Sequence, residues 1–326
     1  MRDNQKGCIG CLGSGLLFQK VRQYLAQEYQ LLSLSKEDLL HQGLQCSMIV
    51  YCADDWHFQT QLEINQRCLA MGIPWLRAYC EFGVGIIGPS VFPEETGCLL
   101  CVETRRLAAM TNASDFLQLR QASDEEKHSK GQTWLTSSSL EVLAQLVVWE
   151  VSASLQNPDT MKTRHALLSL KLDTLHSERH HFLPEPECLA CARLPLDTAE
   201  AATITLQSRP KLGPSTYRIR ALGTLAEPLL AEYVDSYTGL VSSLVKGPDI
   251  SIASITAWIG INNGERIMQM SGNGRTLSYG QSKLTAITEA LERYGGQRPK
   301  SKRTGIWASY QQLGNQALDP TTLGLH

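Results

Sequence analysis

Two cysteine pairs are the residues of this chain whose spacing best suits metal chemistry. Cys98-Leu-Leu-Cys101 and Cys188-Leu-Ala-Cys191 each place two thiols around a two-residue gap. Thiolates at that spacing grip a tetrahedral metal ion from one side, and a second pair closes the other side. We therefore predict a structural four-cysteine zinc site with the ligands Cys98, Cys101, Cys188 and Cys191.

Other chemistry is open to the same cysteines. A redox dithiol, two disulfides or a chance spacing would also account for them. A redox motif is usually a single pair beside a thioredoxin-like pattern, and disulfide frameworks belong to short secreted chains. No basic segment leading into a long apolar run is found near the N-terminus, so no export signal is indicated. Ten cysteines without such a signal favour a reducing cytoplasm.

Further candidate ligands lie on either side of these pairs. His176, His180 and His181 precede Cys188, but four cysteines already complete a closed site, so we predict loop or strand histidines. A third C-x-x-C, Cys8 with Cys11, has no obvious partner pair. We predict free thiols there, with a metal or redox role as the alternative.

Paired carboxylates form the second chemical motif, Thr288-Glu-Ala-Leu-Glu-Arg-Tyr294. Glu289 and Glu292 are spaced i, i+3, so both project from one face of a helix. Such a pair can hold Mg²⁺, which binds oxygen ligands together with substrate phosphates. On spacing alone, a solvated acidic stripe with Arg293 as an ion-pair partner is the simpler explanation.

The elements that would position the cysteines alternate between strand and helix. Apolar runs predict strands at 46–52, 75–79 and 83–88, and apolar periodicity predicts a helix at 57–71. Asp55 precedes that helix and could cap it or hold a cation, capping being the simpler role. This alternation predicts an α/β domain with a largely parallel sheet.

A glycine-rich stretch opens that domain. Gly10, Gly13 and Gly15 precede a helical pattern over 16–29, as in a turn that presents helix N–H groups to a phosphate. The spacing is not G-x-G-x-x-G, so a loop needed only for tight strand–helix packing is an equal alternative.

The remainder of the chain predicts a second unit. The polar stretch 111–135 reads as an exposed crossover, a helix follows at 137–155, and a strand at 166–174. The pattern weakens between 197 and 231, and a new α/β pattern then begins. Its expected elements are strands at 238–245 and 252–260, a turn at 272–276 and a helix at 281–294. We expect domains at 1–200 and 231–326, with a linker at 201–230.

Composition excludes two classes of partner. The net charge of −2 lacks the basic balance typical of nucleic-acid binding. The apolar runs are too short or too interrupted to span a membrane, although 43% hydrophobic residues suffice to bury a core. We expect no nucleic-acid partner and no membrane insertion.

The acidic motif resembles the ATP-binding helix of YcaO-domain proteins, whose hallmark is E-A-[LI]-E-R-[YF] after a glycine and basic turn. Gly274-Arg275 resembles that turn, although Thr276 replaces a usual glycine. The resemblance implies that Glu289 and Glu292 bind Mg²⁺. It implies that the nucleotide lies near Arg275, Thr285 and Arg293.

The first half resembles a ThiF-like domain, a Rossmann-type α/β domain in which cysteine pairs hold a structural zinc. The segments that carry this resemblance are Ile49-Val-Tyr-Cys-Ala-Asp-Asp55, Gly72-Ile-Pro-Trp75, Pro93-Glu-Glu-Thr-Gly-Cys-Leu-Leu-Cys101 and Cys188-Leu-Ala-Cys191. A ThiF-like domain followed by the N-terminal part of a YcaO domain is similar to the fused SagD/YcaO-type cyclodehydratases of thiazole/oxazole-modified peptides, such as bacteriocins and cyanobactins.

That resemblance implies a component of an ATP-dependent enzyme that converts Cys, Ser or Thr of a ribosomal precursor peptide to azolines. Zinc, ATP and Mg²⁺ are the implied cofactors. The implied partners are the precursor peptide, a leader-binding or cyclodehydratase partner protein and a second copy of the chain. We expect the chain to be an N-terminal fragment with an incomplete YcaO site, and no catalytic residue is predicted. The alternatives are a non-catalytic docking scaffold and a ThiF/MoeB-like adenylating enzyme.

Overall fold

The computed structural model describes residues 7–40, 44–125, 134–195, 197–248, 251–262, 267–297 and 307–324. The strands are β1 (Cys8–Gly13), β2 (Gln30–Ser33), β3 (Met48–Cys52), β4 (Trp75–Glu81), β5 (Val84–Val91), β6 (Ala166–Lys171), β7 (Ser177–His181), β8 (Val241–Lys246), β9 (Ala253–Asn262) and β10 (Ile267–Thr276). The helices are α1 (Gly15–Glu28), α2 (Phe58–Met71), α3 (Leu99–Ala109), α4 (Ala113–Glu125), α5 (Ser137–Gln156), α6 (Ala226–Tyr233), α7 (Tyr279–Gln297) and α8 (Tyr310–Leu313).

The larger sheet has seven strands in the order β2-β1-β3-β4-β5-β6-β7. Its first four strands are parallel, and every pairing from β4 to β7 is antiparallel. The parallel prediction therefore holds for only half of the sheet. The direction changes at Phe82 and Gly83, whose φ angles of 45° and 79° make a tight turn between β4 and β5. A parallel connection would need a crossover of a dozen or more residues.

Helices cover both faces of this sheet. On one face, Leu17 of α1 and Val147 of α5 pack into an apolar core against β1, β3 and β4. On the other face, Ile64 of α2, Val102 of α3 and Phe116 of α4 form a second core. β3 is buried along its whole length because both faces are covered, as its unbroken apolar run predicts. The α/β class and the Rossmann-type arrangement are confirmed.

The smaller sheet has three antiparallel strands in the order β10-β9-β8. Ile255, Ala257 and Ile259 of β9 face α7 and form its core with Ile287 and Ala290. Gly260 of β9 lies against the end of α3, so the smaller sheet packs between α7 and the first unit.

The prediction that 111–135 is an exposed crossover is wrong for its first half. Ala113–Glu125 is helix α4, and Ala113, Phe116 and Arg120 are buried on one side of it. Their i, i+3, i+7 spacing gives a helical stripe, which the surrounding polar residues obscure in the sequence. Residues 126–133 lie outside the described residues.

The predicted turn at 272–276 is also wrong, because these residues are the last five of β10. The predicted strand at 166–174 ends at Lys171, and a hairpin leads into β7. Residues 197–221 contain no helix or strand among those described, whereas α6 lies within and just beyond the expected linker. The domain limits at 200 and 230 stay predictions.

No helix in the described part of the chain is long and apolar enough to cross a membrane.

Candidate functional site

The four predicted cysteines converge where α3 begins. Cys98 immediately precedes α3, Cys101 lies in its first turn, and Cys188 and Cys191 lie in the turns that follow β7. The Sγ atoms of Cys98 and Cys188 are 3.6 Å apart, and those of Cys101 and Cys191 are 3.4 Å apart. All four thiols are buried and lie within 4.8 Å of one another.

This geometry fits a tetrahedral metal ion. Four thiolates at about 2.3 Å from one ion would place their sulfurs about 3.8 Å apart. The separations of 3.6 Å and 3.4 Å are slightly shorter, and all four sulfurs lie within 4.8 Å of one another. All ten cysteines lie in the described part of the chain and are free thiols, so disulfides do not account for the pairs. The cluster can therefore hold a metal ion with all of its positions filled by sulfur.

The four thiols form hydrogen bonds with one another, and these hydrogen bonds shift their pKa values. A hydrogen bond from Cys101 lowers the pKa of Cys188 to about 7. The pKa of Cys101 is raised, because its thiol donates to Cys188 and Cys191 and is buried. Four neighbouring thiolates would repel one another in this buried place. A metal ion would replace the shared protons and supply the missing positive charge.

The three nearby histidines stay outside the cluster, as predicted. His180 lies on β7, where its Nε2 is 2.9 Å from Ser169 Oγ and its Nδ1 is 3.1 Å from Asp235 Oδ2. His176 pairs with Glu178 on the surface. His180 therefore ties the first unit to the chain just before β8.

The motif helix α7 is held against β10 by glycines. A Cβ added to Gly274 would lie 1.7 Å from the carbonyl oxygen of Ser282, and one added to Gly272 would lie 2.2 Å from that of Ala286. The two glycines therefore allow close backbone approach, which is why they belong to a strand and not to a turn. Ser282 Oγ also accepts from Thr276 N at 3.0 Å and so joins the start of α7 to the end of β10.

Glu289, of the predicted nucleotide set, contacts both β10 and a neighbouring residue of α7. Its Oε2 accepts from the backbone N–H of Asn273 on the edge strand at 2.8 Å, and its Oε1 pairs with Arg293 at 2.5 Å. Glu292 lies exposed on the next turn. The structure thus brings Glu289 and Arg293 together and aligns Glu292 beside them on α7.

Arg275 and Thr285 stand apart from that pair. Gly272 and Gly274 face α7, so Arg275, next along the strand, lies on the opposite face of β10 and is exposed. Thr285 lies one turn before Glu289 and lines a cavity of about 540 Å³ near the N-terminal end of α7. The cavity is also lined by Gly223, Ala226, Thr276, Ser278, Gly280, Gln281 and Leu284.

A carboxylate, that of Asp54, lies at the glycine-rich loop before α1, where a nucleotide-binding domain would bind a phosphate. Asp54, just beyond β3, accepts hydrogen bonds from Leu16 N at 2.6 Å and from Leu17 N at 2.8 Å. These are the N–H groups that a phosphate at the start of α1 would use. The expectation that Asp55 caps α2 is not met, because His57 holds the N-cap position. The capping carboxylate belongs to Asp54 and serves α1.

A buried charge network on α3 was missed by the sequence reasoning. Arg106 and Arg77 are fully buried and both bond to Glu103, at 3.3 Å and 2.7 Å. Arg106 also pairs with Glu81 and lies 2.6 Å from Tyr237 Oη of the second unit. The run of Glu103, Arg105 and Arg106 after an apolar C-x-x-C was the available signal, since charges inside an apolar stripe must be paired.

Comparison with known families gives a match at the carboxy-terminal end of the chain. Residues 273–326 match the family model described as YcaO cyclodehydratase, ATP- and Mg²⁺-binding. The match starts at the strand end that bonds Glu289 and contains all of α7. No curated protein matches the chain by sequence.

Solved structures similar to the chain include two heterocyclases. One, in complex with substrate and cofactor, has a TM-score of 0.67 and 18% identity over 98% of this chain and 43% of its own. The heterocyclase TruD has a TM-score of 0.57 and 18% identity, over 98% of this chain and 40% of its own. MccB of E. coli has a TM-score of 0.42 and 17% identity, over 59% and 60%.

The chain spans less than half the length of these heterocyclases. At this identity the likeness concerns the fold, and the family match concerns the β10–α7 segment. Residues 273–326 match the YcaO cyclodehydratase family model, and the chain as a whole shares its fold with the two heterocyclases.

Proposed function

We propose that the chain is a component of an ATP-dependent cyclodehydratase that converts Cys, Ser or Thr residues of a ribosomal precursor peptide to azolines. The observation that carries this proposal is the YcaO match over 273–326, which coincides with α7 and its acidic face. The heterocyclase solved with substrate and cofactor, which shares the fold across nearly all of this chain, supports it.

In the proposed reaction, a substrate thiol or hydroxyl attacks the preceding amide carbonyl. That attack closes a five-membered ring. The former amide oxygen then takes the γ-phosphoryl group of ATP, which releases ADP, and it departs as phosphate while the ring nitrogen loses its proton, so that the C=N bond of the azoline forms. Such phosphoryl transfer needs positioning and neutralised charge more than covalent help from the protein. We assign Mg²⁺ binding to Glu289 and Glu292, and contact with the nucleotide to Arg275, Thr285 and Arg293.

In the proposed role, the two carboxylate oxygens of Glu289 have different partners. One holds the backbone of β10 at Asn273, and the other is paired with Arg293 on the surface of α7. The Arg293 partner is exposed, so exchanging it for a cation would break only a solvent-screened ion pair. Bound Mg²⁺ would supply charge stabilisation to the transferring phosphate.

We further propose that the cysteine cluster binds zinc as a structural ion, because four sulfur donors leave no position open for substrate. Ten free thiols also support a reducing, cytoplasmic location. The proposed partners are the precursor peptide and a leader-binding or cyclodehydratase partner protein. Adenylation is not proposed for the first domain, because Asp54 already occupies the N–H groups at the start of α1.

Magnesium-dependent nucleotide binding tests the proposal. Titration calorimetry with ATP and Mg²⁺ is expected to show binding that Glu289→Gln weakens by about tenfold or more, because a contact to a charged group contributes about 1.5–3 kcal/mol and about 1.4 kcal/mol corresponds to tenfold in affinity. The matched control is Glu227→Gln, an exposed acid in the first turn of α6. Equal binding by both variants, or Mg²⁺-independent binding, would contradict the assignment. A chain that binds a precursor peptide but never a nucleotide would be a docking scaffold.

A further inference from the structure

Helix α3 connects the cysteine cluster to the second unit. It begins at Cys98 and Cys101, and its far end lies against β9. A Cβ added to Gly260 would lie 1.8 Å from the carbonyl oxygen of Ala108, so strand and helix touch backbone to backbone. The 11 residues of α3 therefore span the distance from the cysteine cluster to the smaller sheet.

Arg105, in the middle of α3, is buried and bonds directly to the motif helix. Its Nη1 donates to Tyr294 Oη at 2.9 Å, and its guanidinium lies over the Tyr294 ring at 5.4 Å from the ring centre. Tyr294 is the last residue of the motif that contains Glu289 and Glu292. The first cysteine pair and the acidic face of α7 are thus joined through one arginine.

The second cysteine pair reaches the same tyrosine. Glu185 lies just before Cys188, and its Oε2 is 3.2 Å from Arg105 Nη2 and 3.4 Å from Tyr294 Oη. The carbonyl oxygen of Leu183 accepts from Arg105 Nε at 3.0 Å. Both polypeptide arms that supply the four thiols therefore converge on Tyr294.

We propose that the metal-loaded cysteine cluster sets the position of α7, with Arg105 as the positioning residue between them. A bound ion would link the start of α3 and the Cys188 turn through four sulfurs, which would fix the Arg105 and Glu185 side chains that hold Tyr294. Its consequence for nucleotide affinity rests on the proposed function, whereas the coupling between metal and helix does not.

Energetic coupling between two sites is reciprocal. If the metal helps to hold α7 through Arg105, then weakening the hold on Tyr294 must weaken retention of the metal. A purely local structural zinc would lack this second effect, because Tyr294 is not a metal ligand.

Hydrogen exchange on the zinc-loaded full chain measures how strongly Arg105 and the metal hold α7 in place. Arg105→Gln is expected to raise amide exchange in peptides covering α7 by about fivefold or more, the lower range of a coupling between sites, while zinc stays bound. Stripping zinc from the unmodified chain is expected to have the same effect. The control is Arg179→Gln, which removes an exposed arginine that bonds backbone carbonyls of the first unit. Unchanged exchange of α7 in zinc-loaded Arg105→Gln would overturn the proposal.

Zinc release to a chromophoric chelator measures the effect of the Tyr294 contact on retention of the metal. The variant used for this measurement is milder than Arg105→Gln. Tyr294→Phe keeps the ring but loses the hydroxyl, and we expect zinc release to accelerate by about fivefold. Tyr29→Phe removes a hydroxyl bonded to Ser152 between α1 and α5 and should leave release unchanged. Equal release rates for the two variants would refute the coupling. If both readouts succeed while ATP fails to bind, the coupling stands and the proposed function fails.

Discussion

At the scale of single residues, Asp54 occupies the position at the start of α1 where the first domain could otherwise bind a phosphate. Its carboxylate takes the two N–H groups at the start of α1, where a nucleotide-binding domain would hold a phosphate. Gly15 leaves room for it, since a Cβ there would lie 2.4 Å from the carboxylate. The helix dipole therefore stabilises an internal anion, and a phosphate would have to displace it.

Asp54→Ala is expected to lower the free energy of unfolding by about 1 kcal/mol, the usual cost of losing a capping side chain. Urea denaturation measures the change. Glu28→Ala removes an exposed acid from the far end of the same helix and should cost little, because it caps nothing there. Equal effects of the two substitutions would show that Asp54 is not a cap.

Asp235 gives a pH-dependent contribution to stability. Burial alone would raise its pKa, but the His180 ring and the N–H groups of Tyr237 and Thr238 lower the pKa overall. A lowered pKa means that the stabilisation is present above pH about 4, the ordinary value for aspartate, and is lost as the pH falls further. Asp235→Asn should therefore be less stable than the natural chain at pH 7.

The same comparison at pH 3 is expected to give a smaller difference, because the natural chain has by then lost part of the contribution. Urea midpoints at the two pH values test this, with Asp173→Asn in an exposed turn as the control. A difference that stays constant between pH 7 and pH 3 would argue against a charged Asp235 in the folded state.

At the scale of elements, the contact between β10 and α7 depends on glycine. Gly274→Ala would place a methyl group 1.7 Å from the Ser282 carbonyl, so either α7 moves or the strand distorts. We expect a loss of about 3 kcal/mol in unfolding free energy, as for other overpacked contacts. Gly280→Ala is the matched control, because a Cβ there meets nothing within 4 Å and alanine favours helix. It should be neutral or stabilising.

Sequence patterns succeeded where one local signal dominated. The unbroken apolar run of β3 and the helical period of α7 were readable directly, and the C-x-x-C spacing identified all members of the cysteine cluster. Gly272 and Gly274 were misread because a turn and a close strand–helix contact call for the same residue type. The role of Asp54 was missed because its partners lie 37 and 38 positions away at the start of α1, and only the pairing of β1 with β3 brings that helix end beside Asp54.

At the scale of the whole molecule, polar side chains supply several of the contacts between the units. Tyr237 bonds Arg106 and Glu81, and Thr238 Oγ1 donates to the His181 carbonyl oxygen at 2.7 Å. The buried Arg106 of α3 therefore forms part of the contact between the units. No single-element pattern could show this, because the partners belong to different sheets.

We expect a bound metal ion to contribute strongly to the stability of the folded chain. The paired cysteines are 90 positions apart, and closing a loop of that length stabilises a folded chain by about 4.6 kcal/mol in the chain-entropy account used for disulfides. Cys188→Ser should lower bound zinc below about half an equivalent and reduce the thermal midpoint by about 10 °C or more. Metal analysis and calorimetry measure both. Cys8→Ser, which alters a half-buried thiol on β1, should change neither. A Cys188→Ser chain that keeps one equivalent of zinc would show that the four thiols do not share an ion.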